Sequence, residues 1–135
     1  LVQEKGVDLS RTKQIEMKEY FYNMPTLMAA ADVMISRAGA STCNEIAAAG
    51  LPCILIPSPN VTNNHQEKNA RVLEARKGAV VLLEKDCTAQ ALYAQIQSLL
   101  ADPQRRAEMG RNLHEMVTLD SAERICDIIE QLVKK

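Results

Sequence analysis

Three short apolar runs, separated by helical patterns, constrain the fold of this chain more than any other feature. They are predicted as strands over 32–36, 53–56 and 79–83, too short and too apolar to be amphipathic helices. A small-residue turn after the first run leads into a predicted helix over 41–49, stopped by Gly50 and Pro52. A polar loop after the second leads into a helix over 64–77, opened by Asn64-x-x-Glu67 and stopped by Gly78. Upstream, Ile15 and Met17 alternate in a predicted strand over 12–20, and Asn23 caps a short helix over 24–31 with Pro25 in its first turn. Downstream the pattern is helical, over 88–100, from Asp102-Pro103 onward, and from about Asp120-Ser121 to the C-terminus. Short strands alternating with helices predict an α/β fold: a Rossmann-like parallel sheet flanked by helices, with a helical C-terminal segment. Ligands of such sheets bind at the carboxyl ends of the strands. The loops 37–42 and 58–66 both follow strands and precede helices, so they share that rim.

The first of these loops carries the chemistry. Ile35-Ser36-Arg37-Ala38-Gly39-Ala40-Ser41-Thr42-Cys43-Asn44-Glu45 runs from strand end to helix start. A helix start leaves a row of backbone N–H groups without intrahelical partners, and these favour an anion. Gly39 and the alanines beside it keep bulk out of the turn, so a phosphate can come close. Glu45 lies too far along the helix to share that position, but it can reach a sugar diol beside it. Phosphate and diol together describe a nucleotide. Thr42-x-x-Glu45 also fits a capping box, with Thr42 at the N-cap and Glu45 reaching back to its amide. Both readings are open at this level.

Composition removes other classes. In 135 residues the net charge is −1, and no Lys/Arg cluster offers a nucleic-acid surface. With no Trp and one Phe, the chain has no base-stacking platform. No apolar run approaches membrane-spanning length, and the opening residues lack a signal-peptide pattern. The four cysteines (Cys43, Cys53, Cys87, Cys126) have no CxxC spacing and are expected to be reduced and mostly buried. His65 and His114 are far apart, and no Asp-x-Asp is present to hold a metal on a diphosphate. No metal site and no cofactor are expected.

The stretch from Ile35 to Pro52, followed by Ile56-Pro57 and by Asn64-His65-Gln66-Glu67-Lys68-Asn69-Ala70, resembles the C-terminal domain of the MurG family. These bacterial enzymes transfer GlcNAc from UDP-GlcNAc onto undecaprenyl-pyrophosphoryl-MurNAc-pentapeptide, giving lipid II of peptidoglycan synthesis. The resemblance covers essentially the whole chain. It implies one half of a GT-B glycosyltransferase, an inverting hexosyltransferase whose C-terminal domain holds the sugar nucleotide. Residues 1–135 are then expected to be that UDP-sugar-binding domain, truncated at its N-terminus, with the glycine-rich loop that opens the domain lying upstream of Leu1.

The resemblance also implies roles. Glu45 would bind the ribose hydroxyls, and the amides of Ala40, Ser41 and Thr42 the diphosphate. Gln66 would contact GlcNAc hydroxyls, beside His65 where the family often carries a second glutamine. Phe21 matches the segment whose backbone meets the uracil, and Arg37 a basic residue before the glycine that adds charge near the nucleotide. The lipid-linked acceptor and the general base would belong to a missing N-terminal domain, so this chain alone is expected to be inactive. The family implies a cytoplasmic enzyme, peripheral on the inner membrane. Two other readings stay open: the donor-binding subunit of a two-chain GlcNAc transferase, and another GT-B enzyme such as a glycolipid synthase or UDP-GlcNAc epimerase.

Overall fold

A computed structural model of the chain describes residues 14–133. Its elements are α1 (Met24–Ala30), β1 (Met34–Ser36), α2 (Ala40–Ala49), β2 (Cys53–Leu55), α3 (His65–Ala75), β3 (Ala79–Val81), α4 (Ala89–Leu100), α5 (Pro103–His114) and α6 (Ser121–Val133). The three strands form a parallel sheet in the order β1-β2-β3, with Ile54 opposite Ile35 on one side and Val80 on the other. The predicted α/β class and the three central strands are therefore observed, each strand shorter than its apolar run.

Strand β2 is buried on both faces, which is why its sequence has no polar alternation. Cys53 and Leu55 face a core with Ile46 and Ala47 of α2 and Ala70 and Leu73 of α3. Ile54 faces the other way, onto Leu99 of α4 and Met109 of α5. Helix α5 reaches both layers, because its Leu113 joins the first core. Local chemistry fixes the α4–α5 corner. Thr88 Oγ1 accepts from the Ala91 amide and Asp102 Oδ1 from the Arg105 amide, each closing a helix start. Arg106 donates to the carbonyls of Leu99 and Leu100, both 2.7 Å away, which satisfies the end of α4.

Several boundaries depart from expectation. Residues 14–20 form no strand; the rest of the predicted strand, 12–13, lies outside the described residues. Ile15 and Met17 are 57% and 64% exposed, so their alternation marks no buried face. The turn after α3 is made by Lys77, not Gly78: Lys77 has φ +57° and the Gly78 amide reaches back to Leu73 O. Gly78 is there for space, since a Cβ would lie 2.7 Å from Leu113 Cδ2. Of the cysteines, all free, only Cys43 and Cys53 are buried. Burial, with Cys43 beside it, pushes the Cys53 thiol up to about 12, and burial also raises Cys43. Helix α6 presents Ile125, Ile128, Ile129 and Leu132 exposed along one side.

Gly50 ends α2 as expected, with φ +59°, its amide on Ala47 O and the Leu51 amide on Ile46 O. This turn sets a demand on another helix. A Cβ at Gly110, inside α5, would stand 2.7 Å from Gly50 O, a backbone atom that cannot swing away. Replacing a helix-interior glycine by alanine ordinarily stabilises by about 1 kcal/mol. Here overpacking against backbone reverses the sign, and Gly110→Ala is expected to destabilise by about 1–2 kcal/mol. Urea unfolding of the two forms checks this; an unchanged or higher midpoint would contradict the packing.

Candidate functional site

The carboxyl ends of β1 and β2 open onto one rim, as the topology requires. Gly39 is the N-cap of α2, with φ −65° and ψ 149°, and no side chain caps the helix start. The first intrahelical bond is from the Cys43 amide to Gly39 O. The amides of Ala40, Ser41 and Thr42 therefore have no partner within the helix. Thr42 is the third helical residue, so the capping box that its spacing with Glu45 allowed is not formed. Space in front of Gly39 is open: the nearest atom to a Cβ built there would be Thr42 Oγ1 at 3.7 Å.

Glu45 is exposed and stands over an open groove of about 720 Å³, bordered by Ala40, Asn44, Asn69 and the segment 116–119. That volume is in the range of small-ligand sites. Another groove, lined by Glu74, Lys77, Arg105 and Glu108, lies at the opposite end of the strands and has no open helix start.

The second loop wraps toward the first. Asn63 and Asn64 both take left-handed φ, 55° and 51°, which asparagine tolerates better than other side chains. Asn64 precedes α3, but its side chain does not cap the helix; it donates to Glu67 Oε2 at 2.7 Å. That bond, then the Arg71 pairing, holds the Glu67 carboxyl below its usual range. His65 Nδ1 lies 2.9 Å from Thr62 O, so Nδ1 carries the proton and a neutral ring leaves Nε2 as acceptor.

Gln66 has a more constrained position than its sequence discloses. Its Oε1 accepts from the Ser58 amide at 3.0 Å and from the Ala38 amide at 3.3 Å. Because both partners are donors, this atom must be the oxygen, and it is the side-chain NH₂ that has no bond to these loops. Asn69, one turn on, donates Nδ2 to Ala38 O at 3.0 Å. Sequence reasoning passed over Asn69; its i,i+3 spacing from Gln66, which puts both on one face, was the available signal.

Arg37 points toward β3. Its Nη1 lies 2.6 Å from Glu84 Oε2 and 3.2 Å from Ile56 O, so Glu84 offsets its charge. Phe21 is half-buried in the loop before α1, with Lys18 Nζ 5.7 Å from its ring centroid, and α1 packs against α2. Ala40, Ser41, Thr42, Gln66 and His65 thus lie where the two loops enter their helices at the rim, and Glu45 lies farther along α2 beside the groove that Ala40 and Asn69 also border; Arg37 turns to the β3 side, and Phe21 stands on the segment leading into α1. Among the described residues no group of His, Cys, Asp and Glu side chains could hold a metal ion, and no helix is long and apolar enough to cross a membrane.

Comparison with known proteins gives consistent matches. A family model, the Glycosyltransferase family 28 C-terminal domain, matches residues 2–132. A protein of Thermoanaerobacter sp. (strain X514) is 45% identical over 135 residues, covering 96% of this chain. One of Bacillus cytotoxicus is 40% identical over 135 residues, covering 100%. Both are named UDP-N-acetylglucosamine--N-acetylmuramyl-(pentapeptide) pyrophosphoryl-undecaprenol N-acetylglucosamine transferase. The chain spans only 37% and 36% of their respective lengths. Among solved structures, MurG of Acinetobacter baumannii superposes with TM-score 0.75 at 27% identity, over 83% of this chain and 32% of that one. The glycosyltransferase VinC, in complex with dTDP, gives TM-score 0.75 at 18% identity over 98% of this chain and 32% of its own, a likeness of fold alone.

Proposed function

Because the chain belongs to the family of the Glycosyltransferase family 28 C-terminal domain, we propose that it is the UDP-GlcNAc-binding part of an inverting N-acetylglucosaminyltransferase. The acceptor would be undecaprenyl-pyrophosphoryl-MurNAc-pentapeptide and the product lipid II. The observation that carries this reading is the open start of α2, with Gln66 at the same rim and Glu45 farther along the helix beside the groove. The diphosphate would lie on the amides of Ala40, Ser41 and Thr42, the ribose diol on Glu45, and the sugar hydroxyls against Gln66 and His65. The segment at Phe21 would border the uracil. Arg37, paired with Glu84, would add less charge than its guanidinium alone.

In the reaction so proposed, an acceptor hydroxyl attacks the anomeric carbon from the face opposite the diphosphate. The new C–O bond forms as the bond to the β-phosphate oxygen breaks, and that oxygen keeps the electron pair. The hydroxyl proton passes to a base supplied by the rest of a longer protein, which also holds the acceptor. The negative charge growing on UDP meets amides already aimed at it, so little reorganisation is needed as it develops. This domain would thus stabilise the leaving group and select the donor. The longer protein would act at the cytoplasmic face of the inner membrane, where its lipid-linked acceptor lies.

Calorimetric titration with UDP-GlcNAc, UDP and GDP tests the reading: the two uridine ligands should bind and GDP should not. Absence of UDP binding would overturn it. Gln66 gives a sharper check. Gln66→Glu keeps an acceptor for the Ala38 and Ser58 amides but loses the donor. The added carboxylate charge lowers affinity for both ligands, so the readout is their difference: UDP-GlcNAc is expected to weaken about tenfold more than UDP, one hydrogen bond of about 1–1.5 kcal/mol, with little change in melting temperature. Equal loss for both ligands would take Gln66 away from the sugar.

A further inference from the structure

We infer that Asn69 is a positioning residue of the diphosphate site, holding the peptide between Ala38 and Gly39 so that the Gly39 N–H faces outward beside the open amides of α2. The inference rests on the donor-site reading above. Its physical basis is the planarity of the peptide group. Asn69 Nδ2 donates to Ala38 O at 3.0 Å, so this carbonyl is directed at α3. In a trans peptide the C=O and the following N–H point in opposite directions. Pinning Ala38 O toward α3 therefore aims the Gly39 N–H away from it, and nothing among the described residues accepts from that N–H. Gln66 fixes the preceding peptide through the Ala38 amide, and the fully buried Ala38 side chain leaves that residue no room to swing.

Without Asn69 the unit has another arrangement available. Rotating the 38–39 peptide by half a turn would carry Gly39 from φ −65° to strongly positive φ, a region glycine enters without a Cβ penalty. That rotation would present Ala38 O, a partial negative charge, where the N–H had been. Asn69 opposes it by making the outward N–H the arrangement in which Ala38 O is satisfied; after the flip that carbonyl loses its partner. Arg37 and Glu84 pair on the β3 side of the rim and supply no such restraint. Asn69 also borders the groove under Glu45, so the lock and the nucleotide would be neighbours without Asn69 having to touch the ligand.

The test compares wild type, Asn69→Ala and the near-isosteric Asn69→Leu, using UDP and uridine as probes and amide NMR of the ligand-free chain. Both variants are expected to lose about tenfold in UDP affinity, the effect of one charge-assisted contact misaligned, and to keep uridine affinity within about twofold. The Gly39 amide resonance should shift or split in both before any ligand is added. Equal losses for uridine and UDP would make Asn69 a merely structural residue and overturn the inference. So would an unmoved Gly39 resonance. A loss confined to UDP-GlcNAc, with UDP unchanged, would make Asn69 a sugar ligand instead. If wild type binds no UDP, the donor-site reading fails, and the Gly39 resonance still decides whether Asn69 sets this peptide.

Discussion

Replacing Ala40 by aspartate is expected to abolish UDP binding, lowering affinity by at least about a hundredfold, while leaving the fold as stable as before. Ala40 is the first residue of α2 and borders the groove. A carboxylate there is favourable for the helix itself, by about 0.3–1 kcal/mol at the N-terminus. It would also occupy the place proposed for the diphosphate charge. Like charges about 4 Å apart repel by roughly 4 kcal/mol at an effective dielectric constant of 20, well beyond what a hundredfold loss requires. Calorimetric titration beside a thermal melt separates the two effects. UDP affinity within a few-fold of wild type would place the anion elsewhere.

Glu45→Ala carries the second large effect. A carboxylate on a diol is a charge-assisted contact worth about 1.5–3 kcal/mol, so UDP affinity should fall about ten- to a hundredfold. The competing view, that Glu45 closes a capping box, would have the fold bear the loss, at about 1 kcal/mol. The observed helix has Gly39 as its N-cap, which puts Thr42 inside the first turn, and Glu45 is exposed at the groove. The melting temperature is therefore expected to move little. A lowered melt with unchanged UDP affinity would restore the capping view.

The fold was legible where sequence patterns reflect burial or local backbone chemistry. The apolar Cys53-Ile54-Leu55 run is buried on both faces, and this is what marked it as an inner parallel strand. Gly50, Thr88 and Asp102 ended or opened helices for reasons internal to a few residues. Predictions that depended on distant neighbours fared worse. The Ile15 and Met17 alternation had the right period but meets no sheet among the described residues. Gly78 had the right composition for a helix stop, yet Leu113, far along the chain, is what requires the missing Cβ, and Lys77 takes the left-handed turn.

The site divides along the same line. The open helix start after Gly39 was legible because a strand–turn–helix segment determines its own geometry. The double acceptance by Gln66, the Asn69 bond to Ala38 and the Glu84 partner of Arg37 were not, because each joins segments brought together only by the sheet. Asn64-x-x-Glu67 illustrates the limit of motif spacing: the two side chains do meet, but with each other and not with the helix amides.

In the proposed site, the start of α2 holds the diphosphate by fixed backbone dipoles. Titrating UDP into the ¹⁵N-labelled chain in excess EDTA, and again in millimolar magnesium, tests it most directly. The amide signals of Ala40, Ser41 and Thr42 should move and saturate together, with one dissociation constant that is nearly the same in both media, since the positive ends of the amides already meet the charge. UDP binding that leaves these three signals in place, or that disappears on chelation, would contradict the account.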